Sequence, residues 1–136
     1  MEISFFNEEI DLPEFNEQKV IEIYNTIAYD HEQTIDYINV IFCTDDYLLN
    51  VNQEYLQHEY YTDIITFDYS EEEIASDIFI SVDRIKENAS DFNVTFQQEL
   101  HRILIHGMLH LVGYEDKDDE SKVTMTAEED HYLALI

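Results

Sequence analysis

The segment from Thr95 to Gly113 constrains this chain more than any other. Thr95 and Gln98 stand three apart, the spacing at which a threonine side chain caps a helix and the later amide reaches back to the cap. Phe96, Leu100, Ile103, Leu104, Gly107 and Leu111 then trace one apolar face at helical period. Gly113 ends the run, because the residue just past a helix C-terminus often adopts a left-handed conformation that glycine alone takes freely.

The rest of the chain offers a sheet for that helix to cover. Residues 2–6 suit an edge strand, 37–43 are rich in Ile, Val and Phe, and 64–67 and 77–82 are two further β-rich runs. Asn16 caps a helix whose Val20, Ile23, Tyr24, Ile27 and Ala28 follow the helical period. Thr44, Asp45 and Asp46 offer caps for a second, carrying Leu48, Leu49, Val51, Tyr55 and Leu56. A short helix over 83–89 precedes the Thr95 helix. A last one, capped by Asp118 or Asp119, turns Val123, Ala127 and Leu133 inward. The order β-α-β-α-β-β-α-α-α predicts a single α+β domain over residues 1–136, a small mixed four-stranded sheet covered by about five helices. A chain of 136 residues is long enough to bury a real core.

Charge narrows the function. Asp and Glu number 32 against six Lys and Arg, a formal net charge of −26. That excludes a broad basic groove for duplex DNA or RNA and any attraction to an anionic membrane. Glu71, Glu72 and Glu73 form an acidic block that suits a solvated loop. The N-terminus has no basic segment followed by a long apolar one, as a signal peptide would, and no apolar run reaches the ~18 residues of a membrane span. Cys43 is the only cysteine, which rules out an internal disulfide and a cysteine-based zinc site; in Val40–Cys43 it reads as a buried strand residue. These features predict a soluble, cytoplasmic protein.

The chemistry concentrates in residues 106–116. His106 and His110 are four apart on the best-defined helix, about 40° apart around its axis, so their rings project side by side and can share one cation. A third ligand must come from beyond the helix. Gly113 provides the sharp exit, and Asp116 follows three residues later. Two imidazoles and a carboxylate leave a tetrahedral ion one open position, the catalytic rather than the structural arrangement.

Further residues carry a resemblance. His106–Asp116 resembles the HGxLHLxGYDH signature of the YbeY family of bacterial endoribonucleases. Leu49-Asn50 is similar to that family's LN, Thr62–Phe67 to its TDVLSF and Ser76–Ser81 to its GDIxIS, in the family's order; Met125 and Glu128 fit its loosely patterned tail. The resemblance implies a mixed four-stranded sheet with helices, one divalent ion per chain, zinc or similar, and metal-dependent cleavage of single-stranded RNA. It further implies a role in maturation of ribosomal RNA, especially at the 3′ end of the small-subunit RNA, in ribosome quality control, and partners on the ribosome.

Three positions depart from the pattern. Asp116 stands where the family usually has histidine; a carboxylate oxygen binds zinc at a similar distance, while its charge makes the ion a weaker Lewis acid and favours harder metals such as manganese. Ser76 replaces a usual glycine. Leu56 aligns with a family arginine, so that phosphate clamp is missing or comes from elsewhere. Arg102, one turn before His106, is the candidate replacement phosphate contact, against a surface ion pair with Glu99 or Glu128. Lys117 and Lys122 could also meet phosphate. Glu115 is the nearest base by sequence, but nothing in the sequence aims it. His101 lies about 140° from His106 and off the stripe; His31, His58 and His131 stand alone. Asp63 and Asp77 read as strand-end capping and turn residues.

Two other functions compete. A metzincin-like metalloprotease fits the histidine spacing but needs a glutamate directly after the first histidine, where this chain has Gly107. A non-enzymatic acidic module could instead dock on basic ribosomal proteins, with its metal fixing only the last loop.

Overall fold

Helices separate the strands that must run parallel, and a short acidic turn joins the pair that does not. In the computed structural model, which describes residues 2–58 and 60–136, β1 (Glu2–Glu8), α1 (Glu17–Asp30) and β2 (Ile35–Cys43) form a parallel unit. After α2 (Asp45–Leu56), β3 (Ile64–Asp68) turns antiparallel into β4 (Ile74–Ser81), which lies parallel to β2. The sheet order is β1-β2-β4-β3. The helices α3 (Val82–Asp91), α4 (Phe96–Leu111) and α5 (Asp119–Leu133) follow. The architecture is the expected mixed four-stranded sheet with five helices, and Glu71–Glu73 lie exposed in the β3–β4 connection.

Side chains alternate across the sheet. Ile78 and Ile80 face the larger core, shared with α1, α3, α4 and α5, whereas Phe79, Ile65 and Phe67 face α2 with Cys43, Leu48 and Val51. Helix α4 is the hub of the larger side, packed against α1, α3, α5 and β3. The fully buried Tyr24 of α1 donates its hydroxyl to the Leu104 carbonyl at 2.8 Å, pinning α1 across the middle of α4. At Gly107, α4 comes so close to the sheet that a Cβ would meet Ile64 Cδ1 at 3.0 Å and Ile78 Cδ1 at 3.5 Å.

Caps fall largely where side-chain chemistry puts them: Asn16, Thr44 and Asp118 cap α1, α2 and α5, and Thr95 with Gln98 closes a reciprocal capping box on α4. Strands β2 and β4 begin earlier than expected, at Ile35 and Ile74. Helix α5 turns differently. Met125, Glu129 and Tyr132 are its buried residues, while Val123 is 71% exposed, Ala127 is exposed and Leu133 is half-buried. A buried glutamate in the inward stripe hides the stripe from any reading based on apolar period. Asp77 caps nothing; it sits mid-strand and accepts a hydrogen bond from Asn39 Nδ2 at 3.1 Å. Ser76 fits its fully buried position by donating to the Phe67 carbonyl at 2.7 Å.

Candidate metal centre

The site begins with how α4 stops. The Tyr114 amide bonds the Leu109 carbonyl at 3.0 Å and the Gly113 amide bonds the His110 carbonyl at 3.1 Å, the paired reversal bonds of a Schellman motif, with Gly113 at φ +111°. The reversal folds the chain back over the last turn of α4. It brings Asp116 Oδ2 to 3.4 Å from His106 Nε2 and 3.8 Å from His110 Nε2, and the two Nε2 atoms are 3.0 Å apart. The candidate ligand atoms of His106, His110 and Asp116 all lie within 4.8 Å of one another, so the group could hold a metal ion.

Hydrogen bonding behind the rings fixes what they present. His106 Nδ1 is 2.6 Å from Glu129 Oε2, and His110 Nδ1 is 2.9 Å from the Tyr114 carbonyl oxygen. Both partners only accept, so both Nδ1 atoms carry protons and donate. In the neutral rings both Nε2 lone pairs then converge on the same point beside a carboxylate oxygen. Such a donor set repels itself unless a cation sits there, and it fits a divalent ion with imidazole and carboxylate preference. Burial, with the neighbouring His106 next, holds the His110 ring below the usual histidine range and so favours its neutral, ligating form.

Two supports were not singled out from sequence. Glu129 is 23 residues from His106 and belongs to no motif; its one signal is a charge at an inward position of α5. His31 follows the end of α1, where its Nδ1 donates to the Ile27 carbonyl at 2.7 Å and its Nε2 accepts from the Tyr114 hydroxyl at 3.0 Å. The far end of α1 thereby anchors the loop that carries Asp116.

The two histidines line a cleft of about 590 Å³ that runs along β3. Leu56, His58, Tyr60, Asp63, Thr66 and Lys117 also line it. Leu56 therefore brings an apolar side chain to the cleft where the family pattern has arginine, and the exposed Lys117 borders it with its ammonium 4.0 Å from Glu115 Oε1. Arg102 does not face this cleft. Its guanidinium bonds Glu99 through Nε at 2.8 Å and reaches Glu129 at 3.4 Å through Nη1, and Arg102 lines a separate cavity between the α3–α4 connection, α4 and α5. The expected pairing with Glu99 is present, but Glu99 is 1% exposed rather than on the surface, and the second partner is Glu129 instead of Glu128. Glu115 is not among the cleft residues; it lines a shallow hollow with Gly113 and Asp118, its carboxylate 4.0 Å from the Lys117 ammonium, and Lys122 is exposed. Asp63 accepts from Asn88 Nδ2 at 3.2 Å at the cleft wall. His101 lies off the site, its Nε2 buried without a hydrogen-bond partner among the described residues.

Comparison with known proteins identifies the family. The family described as Endoribonuclease YbeY matches residues 2–136. A protein of that name from Cytophaga hutchinsonii is 47% identical over 135 residues, covering 98% of this chain and 94% of its own. One from Flavobacterium psychrophilum is 46% identical over 131 residues, covering 96% and 94%, and one from Bacteroides fragilis is 43% identical over 136, covering 99% and 98%. The solution structure of a protein from Thermotoga maritima superposes with a TM-score of 0.64 at 28% identity, covering 96% of this chain and 86% of that one. With nearly its whole length matched both ways, and the signature histidines converging at the end of α4, the chain belongs to the YbeY endoribonuclease family.

Proposed function

We propose that this protein is a metal-dependent endoribonuclease that cuts single-stranded RNA, with His106, His110 and Asp116 holding one divalent ion, most suitably zinc. The observation that carries the reading is the pair of Nε2 atoms 3.0 Å apart, each turned forward because its Nδ1 is spoken for behind. When bound, the ion supplies Lewis acidity toward a phosphodiester. The chain's own residues do the rest. His106 and His110 keep their lone pairs forward, and the half-exposed Asp116 closes one side and leaves the other open to the cleft. Lys117 offers a positive charge to a phosphate in the cleft. Tyr60, 57% exposed, offers a ring face to an unpaired base; bases within a duplex are already stacked and cannot use it.

The family's work in maturing ribosomal RNA, including the 3′ end of the small-subunit RNA, supports the same role for this chain, in the cytoplasm with the ribosome as partner. A net charge of −26 repels RNA at long range, yet over a Debye length of about 8 Å at physiological salt that repulsion is largely screened. The same charge attracts basic ribosomal proteins that could deliver the substrate. A metalloprotease finds no support. The position after His106 must carry a glutamate for that chemistry, and Gly107 is pressed against Ile64 and Ile78 with no room for one. No described helix is long and apolar enough to cross a membrane.

The test is cleavage of single-stranded RNA by zinc-loaded protein across a salt series, wild type against His110→Ala. Cleavage that disappears in the variant supports the enzyme. No cleavage at any salt, with tight capture of ribosomal proteins, would replace it with a docking module.

A further inference from the structure

We propose that Glu129 is a positioning residue of the metal centre, its buried charge kept in place by Arg102 so that His106 presents Nε2 to the ion. The inference rests on the metal reading above and goes beyond it, since Glu129 offers the ion no ligand atom.

Glu129 is 5% exposed and uses both oxygens. Oε2 accepts from His106 Nδ1 at 2.6 Å and Oε1 from Arg102 Nη1 at 3.4 Å. Arg102 gives its better bonds to Glu99, which is 1% exposed and also accepts from Asn88 Nδ2 at 3.4 Å. One guanidinium thus serves two buried carboxylates, and the carboxylate turned toward His106 gets the longer contact. The cluster of Glu99, Arg102 and Glu129 carries one uncompensated negative charge inside the protein. Asp116, on the far side of His106, brings the total to two. With both histidines neutral, a divalent cation on His106 and His110 balances that total.

A carboxylate in this place makes the ring a stronger donor and fixes its tautomer; loss of such a partner typically costs about 10- to 100-fold in metal affinity. A glutamate present only to join α4 and α5 would behave differently. Its charge would matter equally with and without the ion. A positioning glutamate is an electrostatic burden in the metal-free protein and a benefit only when the ion is bound.

The experiment uses the full chain and zinc alone. Zinc affinity is measured by chelator competition for wild type, Glu129→Gln and Glu129→Leu, and melting is recorded with zinc and after chelation. His106 tautomer is read from side-chain ¹⁵N resonances in the metal-free state. Glu129→Gln, nearly isosteric, is expected to bind zinc about 10- to 100-fold more weakly, to keep the Nδ1–H tautomer, and to melt no lower than wild type when metal-free. Glu129→Leu is expected to lose the tautomer preference as well. Zinc affinity of Glu129→Gln within about twofold of wild type would overturn the proposal, as would an equal fall in melting temperature with and without zinc. A wild type that binds no zinc removes the metal centre itself; a wild type that binds, with variants unchanged, removes only the role of Glu129.

Discussion

Gly107 sits where helix and sheet touch, and substitution there can be worked through from distances. A Cβ at this position would meet Ile64 Cδ1 at 3.0 Å, Ile78 Cδ1 at 3.5 Å and Thr66 Oγ1 at 3.6 Å. Only the first contact is too short, and it is with the end of a flexible side chain that lines the cleft and can swing a few tenths of an ångström into it. Replacing a helical glycine by alanine stabilises by about 1 kcal/mol, which offsets most of the crowding. Gly107→Ala should therefore stay within about 1 kcal/mol of wild type. Gly107→Glu must bury a carboxylate between Ile64 and Ile78 with no cation beside it. Overpacking costs about 1–3 kcal/mol and an unpaired buried charge several more, so the two variants should differ by about 4 kcal/mol or more. With a urea m-value of about 2 kcal/mol/M, that separates their unfolding midpoints by roughly 2 M. Midpoints within about 0.5 M of each other would refute the close-packing account, and with it the structural case against a protease-type glutamate.

Other outcomes follow from the site. Zinc at about 100 times its dissociation constant should stabilise the wild type by about 2.7 kcal/mol, raising its melting temperature by roughly 10 °C, while His110→Ala should show almost no shift in the same scan. Asp116→Asn should weaken zinc binding more than Glu115→Gln, because Asp116 lies beside both rings and Glu115 lies instead beside Lys117; chelator competition that gives the reverse order would reassign the loop ligand. Tyr114→Phe leaves the His31 Nε2 without its donor and should cost about 0.5–1.5 kcal/mol in urea unfolding, with weaker zinc binding if the anchor holds the loop as described. Burial, then Asp45 and Asp83, push the Cys43 thiol up to about 12. Native protein should resist iodoacetamide at pH 8. Because the folded thiol holds its proton beyond the ordinary ~8.5, stability should fall as pH rises from there toward 12, and less steeply in Cys43→Ala.

How much the sequence revealed depended on whether a residue's partners lie nearby in the chain. His106, His110, Gly113 and Asp116 share one helix end, so helical spacing and a glycine stop were enough to bring them together. The caps at Asn16, Thr44, Thr95 and Asp118 are local in the same way. Spacing leaves Arg102 two roles, a phosphate contact one turn from His106 or an ion pair with Glu99 or Glu128. The structure turns it to Glu99, three residues back and within reach of local spacing, and adds a longer contact with Glu129, 27 residues away on α5, that no local pattern reports. The inward stripe of α5 failed for the same reason, since it contains the glutamate that answers Arg102. His31 read as an isolated histidine because its partner, Tyr114, is 83 positions on.

That last contact bears on when the protein becomes competent as it is made. All three candidate ligands fall within one short stretch, yet one ring is steadied by a residue later in the sequence, and the loop is moored to a helix synthesised well before it. A nascent chain that has just exposed His106 and His110 has the donors without their aim. Emergence of α5 completes the set, so a truncated product lacking that helix should be a poor nuclease even though every ligand is present.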